Sequence, residues 1–131
     1  MKMMKEIRSR GPIIADLEVP LTFSYYNEGI FSDVHDKVLE SMKGTSDYEE
    51  LIDDEFINDM TLTDYNIEWE LLNHSILIIG WGVEDGVKYW ICRNSYGRGW
   101  GEAGHFRIRK GANDYGIESE SSAYIPELLL D

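Results

Sequence analysis

The chain of 131 residues has one cysteine, Cys92, three prolines, three histidines, and 12 basic residues against 25 acids. A single cysteine excludes an internal disulfide, and it leaves the compartment open because secreted proteins can also lack bridges. The shortage of bases gives a formal charge of −13. That charge argues against nucleic acid or an anionic membrane surface as partner. No apolar run approaches transmembrane length. The opening MKMMKEIRSR is charged and amphipathic, with no apolar signal-peptide core. If the protein is secreted, its signal is expected to be encoded elsewhere. His35, His74 and His105 show no ligand spacing, so neither a metal nor a cofactor is expected.

What is present bounds the chain to one domain. With 43% hydrophobic residues and four tryptophans it can bury a core. The acidity is local. Residues 33–70 carry 13 acids and two lysines, Lys37 and Lys43. Their sparse apolar anchors fit one or two short helices in a solvated insertion, with a partner-binding flap as the functional alternative. Before it, residues 1–9 are expected to be a short helix stopped by Gly11-Pro12. Residues 12–19 read as a strand and 20–27 as a helical turn. In that strand Asp16 is unexpected, and its plain reading is a strand-edge or solvent-facing acid.

After the insertion, residues 74–83 form a nearly continuous apolar run, which suggests a strand buried on both faces. Asp85-Gly86 is a two-residue hairpin signal, and residues 87–94 return as the partner strand. Residues 95–104 (SYGRGWGEAG) form a loop whose glycines imply close backbone approach. Residues 104–110 and 117–125 supply two further strands. One helix followed by mostly antiparallel strands predicts an α+β fold with a small, barrel-like sheet.

His74 lies eleven residues before Asp85 and Asn94 lies eight after Gly86, near the same end of the hairpin. They are expected within cross-strand or diagonal reach. An asparagine carbonyl accepting from one imidazole nitrogen leaves the other free to exchange a proton with a thiol. Alone, the pair is a weak signal, since a histidine in an apolar strand is more often a satisfied core residue. Cys92, in mid-strand with neither a helix N-terminus nor an evident cation, reads as a buried structural thiol.

The surroundings carry more. NHSILIIGWG, then YWICRNSYGRGWGEAGHFRI, then GIESE, resemble the C-terminal, histidine- and asparagine-bearing lobe of a papain-family cysteine peptidase. The earlier stretch MMKEIRSRGPIIADLEVPLTFSYYNEGIF is similar to the helix, strand and Tyr-x-x-Gly-Ile segment that opens that lobe. GWGVEDGVKYW and GIESE are most similar to cathepsin B, and WELLNHSILIIGWG to cathepsin C. The resemblance implies that His74 is the general base and Asn94 its orienting group, with Tyr96 in place of the tryptophan that shields their hydrogen bond. It implies substrate-binding positions at Glu120, Asp16 and Ser75; Glu120 matches an acid at the floor of the second subsite. With Asp16 on its wall, that subsite would be anionic.

The departures are large. The family's Cys-Gly-Ser/Ala-Cys-Trp motif lies far upstream of the histidine, and the 73 residues before His74 contain no such motif. Tyr115 stands where related enzymes have a cysteine. Asn73-His74-Ser75 is the only glycosylation-like triplet, and it is expected to be buried. The resemblance therefore implies a cysteine-type peptidase acting on peptides or proteins, lysosomal or secreted. This chain would supply the base and orienter, and a cysteine-bearing lobe or chain the nucleophile, so the chain alone is not expected to be active. The alternative is a catalytically inactive papain-like module with a structural or binding role. An isolated lobe should expose an apolar patch near His74 and associate with itself.

Overall fold

The computed structural model describes residues 2–34 and 72–124. All but the first two residues of the acidic segment at 33–70, and His35 with them, lie outside the described residues. Helix α1 spans Lys2–Arg10. Its half-buried Met3, Met4 and Ile7 pack against the core, while Glu6 and Arg10, one turn apart, form an ion pair at 3.1 Å on the wet side. Gly11, at φ 105°, returns its N–H to Ile7 O at 3.1 Å. This is a left-handed helix cap, and Pro12 prevents continuation.

Six strands follow: β1 (Ile13–Leu17), β2 (Ile30–Phe31), β3 (His74–Glu84), β4 (Val87–Arg93), β5 (His105–Arg109) and β6 (Glu120–Ser122). They form one sheet in the order β2-β5-β4-β3-β1-β6. Every pair is antiparallel except β2 with β5, which is parallel. The α+β class and the papain-like lobe hold, with that single parallel pair at one edge. A 3-10 turn at Leu21–Tyr25 carries the chain from β1 toward β2. A second, at Asp114–Gly116, precedes β6; the sequence reading had no element there.

The core lies on one face of the sheet. Ile13, Ala15 and Leu17 alternate inward from β1 and meet Ile76 and Ile78 of β3, Trp90 and Cys92 of β4, and Phe106 and Ile108 of β5. Burial on both faces of β3, expected from its unbroken apolar run, is not what forms. Ser75 and Ile79 are exposed and Leu77 is half-buried, because no described element covers that side.

The β3–β4 ladder contains one irregularity that decides the site. From the turn it pairs Glu84 with Val87 up to Gly80 with Ile91; then Ile78 pairs with Cys92, leaving Ile79 as an extra residue. Gly82 sits opposite Tyr89, whose phenol occupies the space where a Cβ would stand.

Candidate active site

His74 is the first residue of β3, and Asn94 follows the last residue of β4. Side chains alternate faces along a strand. Continued without a bulge, the ladder near the turn would set Asn94 level with Leu77, on the face away from His74. The extra residue at Ile79 shifts the register by one, so Asn94 comes level with Ile76 and joins His74 on the core side. His74 Nε2 and Asn94 Oδ1 are 2.8 Å apart. Ser95 N–H donates to the same oxygen at 2.8 Å, which fixes the end of the amide that faces the imidazole. An amide oxygen only accepts, so Nε2 carries the proton and Nδ1 holds the lone pair. No hydrogen bond from the described residues reaches Nδ1.

Both ends of the pair are anchored by backbone. Asn94 N–H donates to Gly104 O at 3.0 Å. Before His74, Asn73 behaves as an extra rung of the β1–β3 ladder. Its N–H donates to Leu17 O at 3.1 Å, its Oδ1 accepts from Val19 N at 2.9 Å, and its Nδ2 donates to Val19 O at 3.3 Å. The expectation that the Asn73 triplet is buried is corrected here. Asn73 and Ser75 are exposed, because the strand end projects past the core, yet both amide atoms of Asn73 are occupied.

Aromatic rings wall the imidazole. Tyr96 lies 5.2 Å from the His74 ring, centroid to centroid, and Phe23 6.0 Å in edge contact. Trp100 packs on both, 5.0 Å from Phe23 and 5.3 Å from Tyr96, and its indole N–H donates to Ser24 O at 2.9 Å. Tyr96 thus sets its ring beside the imidazole, though it is itself 46% exposed. Phe23, almost fully buried under the histidine, had no signal in the sequence beyond an apolar residue in a turn.

Asp16 and Ser75 are cross-strand partners, and so are Asp16 and Glu120. All three lie on the face away from the core, with Asp16 between the other two. The Ser75 hydroxyl donates to Asp16 Oδ1. Asp16 is half-buried and Glu120 exposed. Asp16 is thus neither at a sheet edge nor unpartnered, and it adjoins the residue that follows His74.

Cys92 belongs elsewhere. It is fully buried, level with Ile78 and Phe106, roughly 13 Å along β3 from His74 at the usual rise per residue. Burial pushes its thiol well above the ordinary range. Among the described residues no group of three or more histidines, cysteines or acids is arranged to hold a metal ion.

The loop that carries Tyr96 and Trp100 is tied down by Glu102, a residue without a role in the sequence reading. Its carboxylate accepts from Arg107 Nε at 3.1 and 3.0 Å, from Arg107 Nη2 at 2.8 Å and from Gly29 N at 3.0 Å. The Arg107 bonds hold the Glu102 carboxyl below its ordinary value, against a smaller opposing effect of burial. Tyr26, pushed up to about 12 mainly by burial, donates its hydroxyl to Gly29 O at 2.6 Å.

Comparison with known proteins decides the relationship. The papain family cysteine protease profile matches residues 57–125, more than half of the chain. The chain belongs to the papain family. It is similar to dipeptidyl aminopeptidase 1 of Plasmodium falciparum (isolate 3D7), 38% identical over 130 residues, covering 95% of this chain and 17% of that protein. Cathepsin C of Schistosoma mansoni is 33% identical over 129 residues, covering 96% of this chain and 23% of that protein. The chain thus spans about a fifth of the length of these relatives. Procathepsin B S9 from Trypanosoma congolense shares the fold, with a TM-score of 0.62 at 21% identity over 95% of this chain and 32% of that one. No helix among the described residues is long and apolar enough to cross a membrane.

Proposed function

We propose that residues 1–131 form the histidine- and asparagine-bearing lobe of a cathepsin B- or C-like cysteine peptidase and that a cysteine-bearing lobe or chain completes the site. The single observation that carries this reading is the 2.8 Å pairing of His74 Nε2 with Asn94 Oδ1, which leaves Nδ1 as the proton acceptor. A thiol brought to Nδ1 gives up its proton there, and the thiolate adds to the scissile carbonyl carbon. The imidazolium, held by Asn94, then donates that proton to the departing amine. Water, deprotonated by the same nitrogen, hydrolyses the thioester. Tyr96 keeps solvent from the His74–Asn94 bond throughout. Asp16, Ser75 and Glu120 form the second subsite, where two carboxylates favour a basic side chain. The family resemblance supports a working protein that acts in lysosomes or outside the cell.

The test is hydrolysis of dipeptidyl fluorogenic substrates by the full chain, with and without a co-expressed cysteine-bearing lobe of a related peptidase. Activity is expected only in the combination, to be abolished by His74→Ala, and to be higher for arginine than for leucine at the second position. No activity in any combination would sink the proposal. A second reading, a catalytically inactive binding module, draws on the full burial of the chain's only thiol. Under it His74→Ala leaves the biological role intact.

A further inference from the structure

The loop at residues 95–104 joins the two halves of the candidate site. Tyr96 near its start covers His74, and Gly104 at its end accepts from the Asn94 N–H. Its fold is costly in backbone terms. Ala103 adopts φ 55°, unusual for a residue with a Cβ, and Gly101 adopts φ 56°. A Cβ on Gly101 would stand 2.6 Å from His105 O and 3.0 Å from Tyr26 Cδ1. Some interaction must hold that conformation, and the local backbone ties include Gly104 N–H to Trp100 O at 2.8 Å, Ala103 N–H to Gly101 O at 3.1 Å and the Glu102–His105 pair.

The strongest tie is a side chain. Glu102 projects out of the loop to meet Arg107 on β5 and the Gly29 N–H just before β2. Charge-assisted, forked bonds of this kind are shorter and more directional than neutral ones. They fasten the loop to the sheet and to the Tyr26–Gly29 turn at once. Arg107 also reaches Glu84 beside the hairpin turn at 2.8 Å, but Glu84 is more exposed and touches nothing in the loop's own hydrogen-bond set.

We infer that Glu102 is a positioning residue for the histidine–asparagine pair: by pinning the 95–104 loop it keeps the Tyr96 ring on His74 and the Gly104 carbonyl on Asn94. It touches no reacting atom. Its effect passes through Trp100, which packs between Tyr26 and Tyr96 at 5.4 and 5.3 Å, tilted on the first and edge-on to the second. This role rests on the proposed function for its meaning in catalysis, while the physical coupling stands without it. Release of Glu102 lets the loop lift, Tyr96 leave the imidazole, and water compete for Asn94 Oδ1.

The test uses the full chain labelled with [15N]histidine and needs neither nucleophile nor substrate. NMR reads the His74 tautomer and the solvent exchange of its Nε2–H, and thermal unfolding is followed alongside. Glu102→Gln, which removes the charge and keeps the shape, should speed Nε2–H exchange roughly tenfold or more and populate the Nδ1–H tautomer. Glu84→Gln, which removes the other partner of Arg107, should leave exchange within about twofold of the parent. A Glu102→Gln variant that melts earlier but keeps the parent exchange rate and tautomer would overturn the inference, since the residue would then serve stability alone. Should that variant not fold, Glu102→Asp, which keeps the charge and shortens the reach to Arg107 and Gly29, takes its place. Faster exchange there supports the inference, and unchanged exchange overturns it. Failure of the peptidase assay with these coupling results intact would strike the proposed function and leave the positioning role standing.

Discussion

A thiol with no exposed surface behaves as a small apolar group, and Cys92 occupies that condition between Ile78 and Phe106. Its raised pKa means that the folded chain keeps a proton which the unfolded chain surrenders as pH rises. Stability contributed by the neutral thiol is therefore present below the ordinary thiol range and lost above it. Iodoacetamide at pH 8 should leave the native chain unmodified and alkylate Cys92 rapidly in urea; rapid native alkylation would contradict the burial. Tyr115 shows the same economy at another position expected to hold a cysteine in relatives. In a left-handed conformation at φ 51°, it stacks on Phe31 at 4.9 Å and 15°, so ring contact joins these two segments. The pairing of His74 with Asn94 was legible from their places on the hairpin. Phe23 and Glu102 were not, because a residue that supports another through space leaves no local pattern in the chain.

At the scale of elements, the hairpin and its neighbours were readable from alternation and from the Asp85-Gly86 turn, and their bounds moved by one or two residues, whereas the last strand, expected over 117–125, forms only at Glu120–Ser122 among the described residues. Two features escaped. The Asp114–Gly116 turn is anchored by a buried acid: Asp114, fully buried, receives Arg109 Nε and Nη2 at 2.9 and 2.7 Å from five residues upstream, and neither residue type nor spacing marks that pairing in the sequence. The Asn73 rung is likewise a side chain acting as backbone. Its worth can be compared with that of the 3-10 turn. Asn73→Ala removes two partly exposed hydrogen bonds and should cost about 1 kcal/mol. Phe23→Ala empties a buried ring site beneath His74 and should cost about 3–5 kcal/mol. Urea unfolding of the two variants would rank them, and a reversed order would mean that the strand end, rather than the aromatic packing, secures this corner.

For the molecule as a whole, the side of the sheet that carries Asp16, Ser75, Leu77 and Ile79 has no described cover. Beside the histidine, Leu21 and Tyr25 flank Phe23 with 54% and 82% of their surfaces exposed. Apolar exposure of this kind drives association, while the charge of −13 opposes it and is screened by salt. The chain expressed alone should therefore self-associate, more strongly at high ionic strength, as read by light scattering. A monodisperse monomer across that range would contradict this. The acidic segment, a composition shift visible at once in the sequence, lies outside the described residues apart from its first two.

The single extra residue at Ile79 acts like a frame in translation. Because faces alternate every residue, one residue gained or lost in the stretch of β3 between that bulge and His74 would turn the imidazole away from Asn94. Two residues would restore the face yet move the ring about 7 Å along the strand, beyond reach of the amide. The pair therefore fixes the length of this stretch outright, a constraint that acts on residue number while remaining nearly indifferent to residue identity.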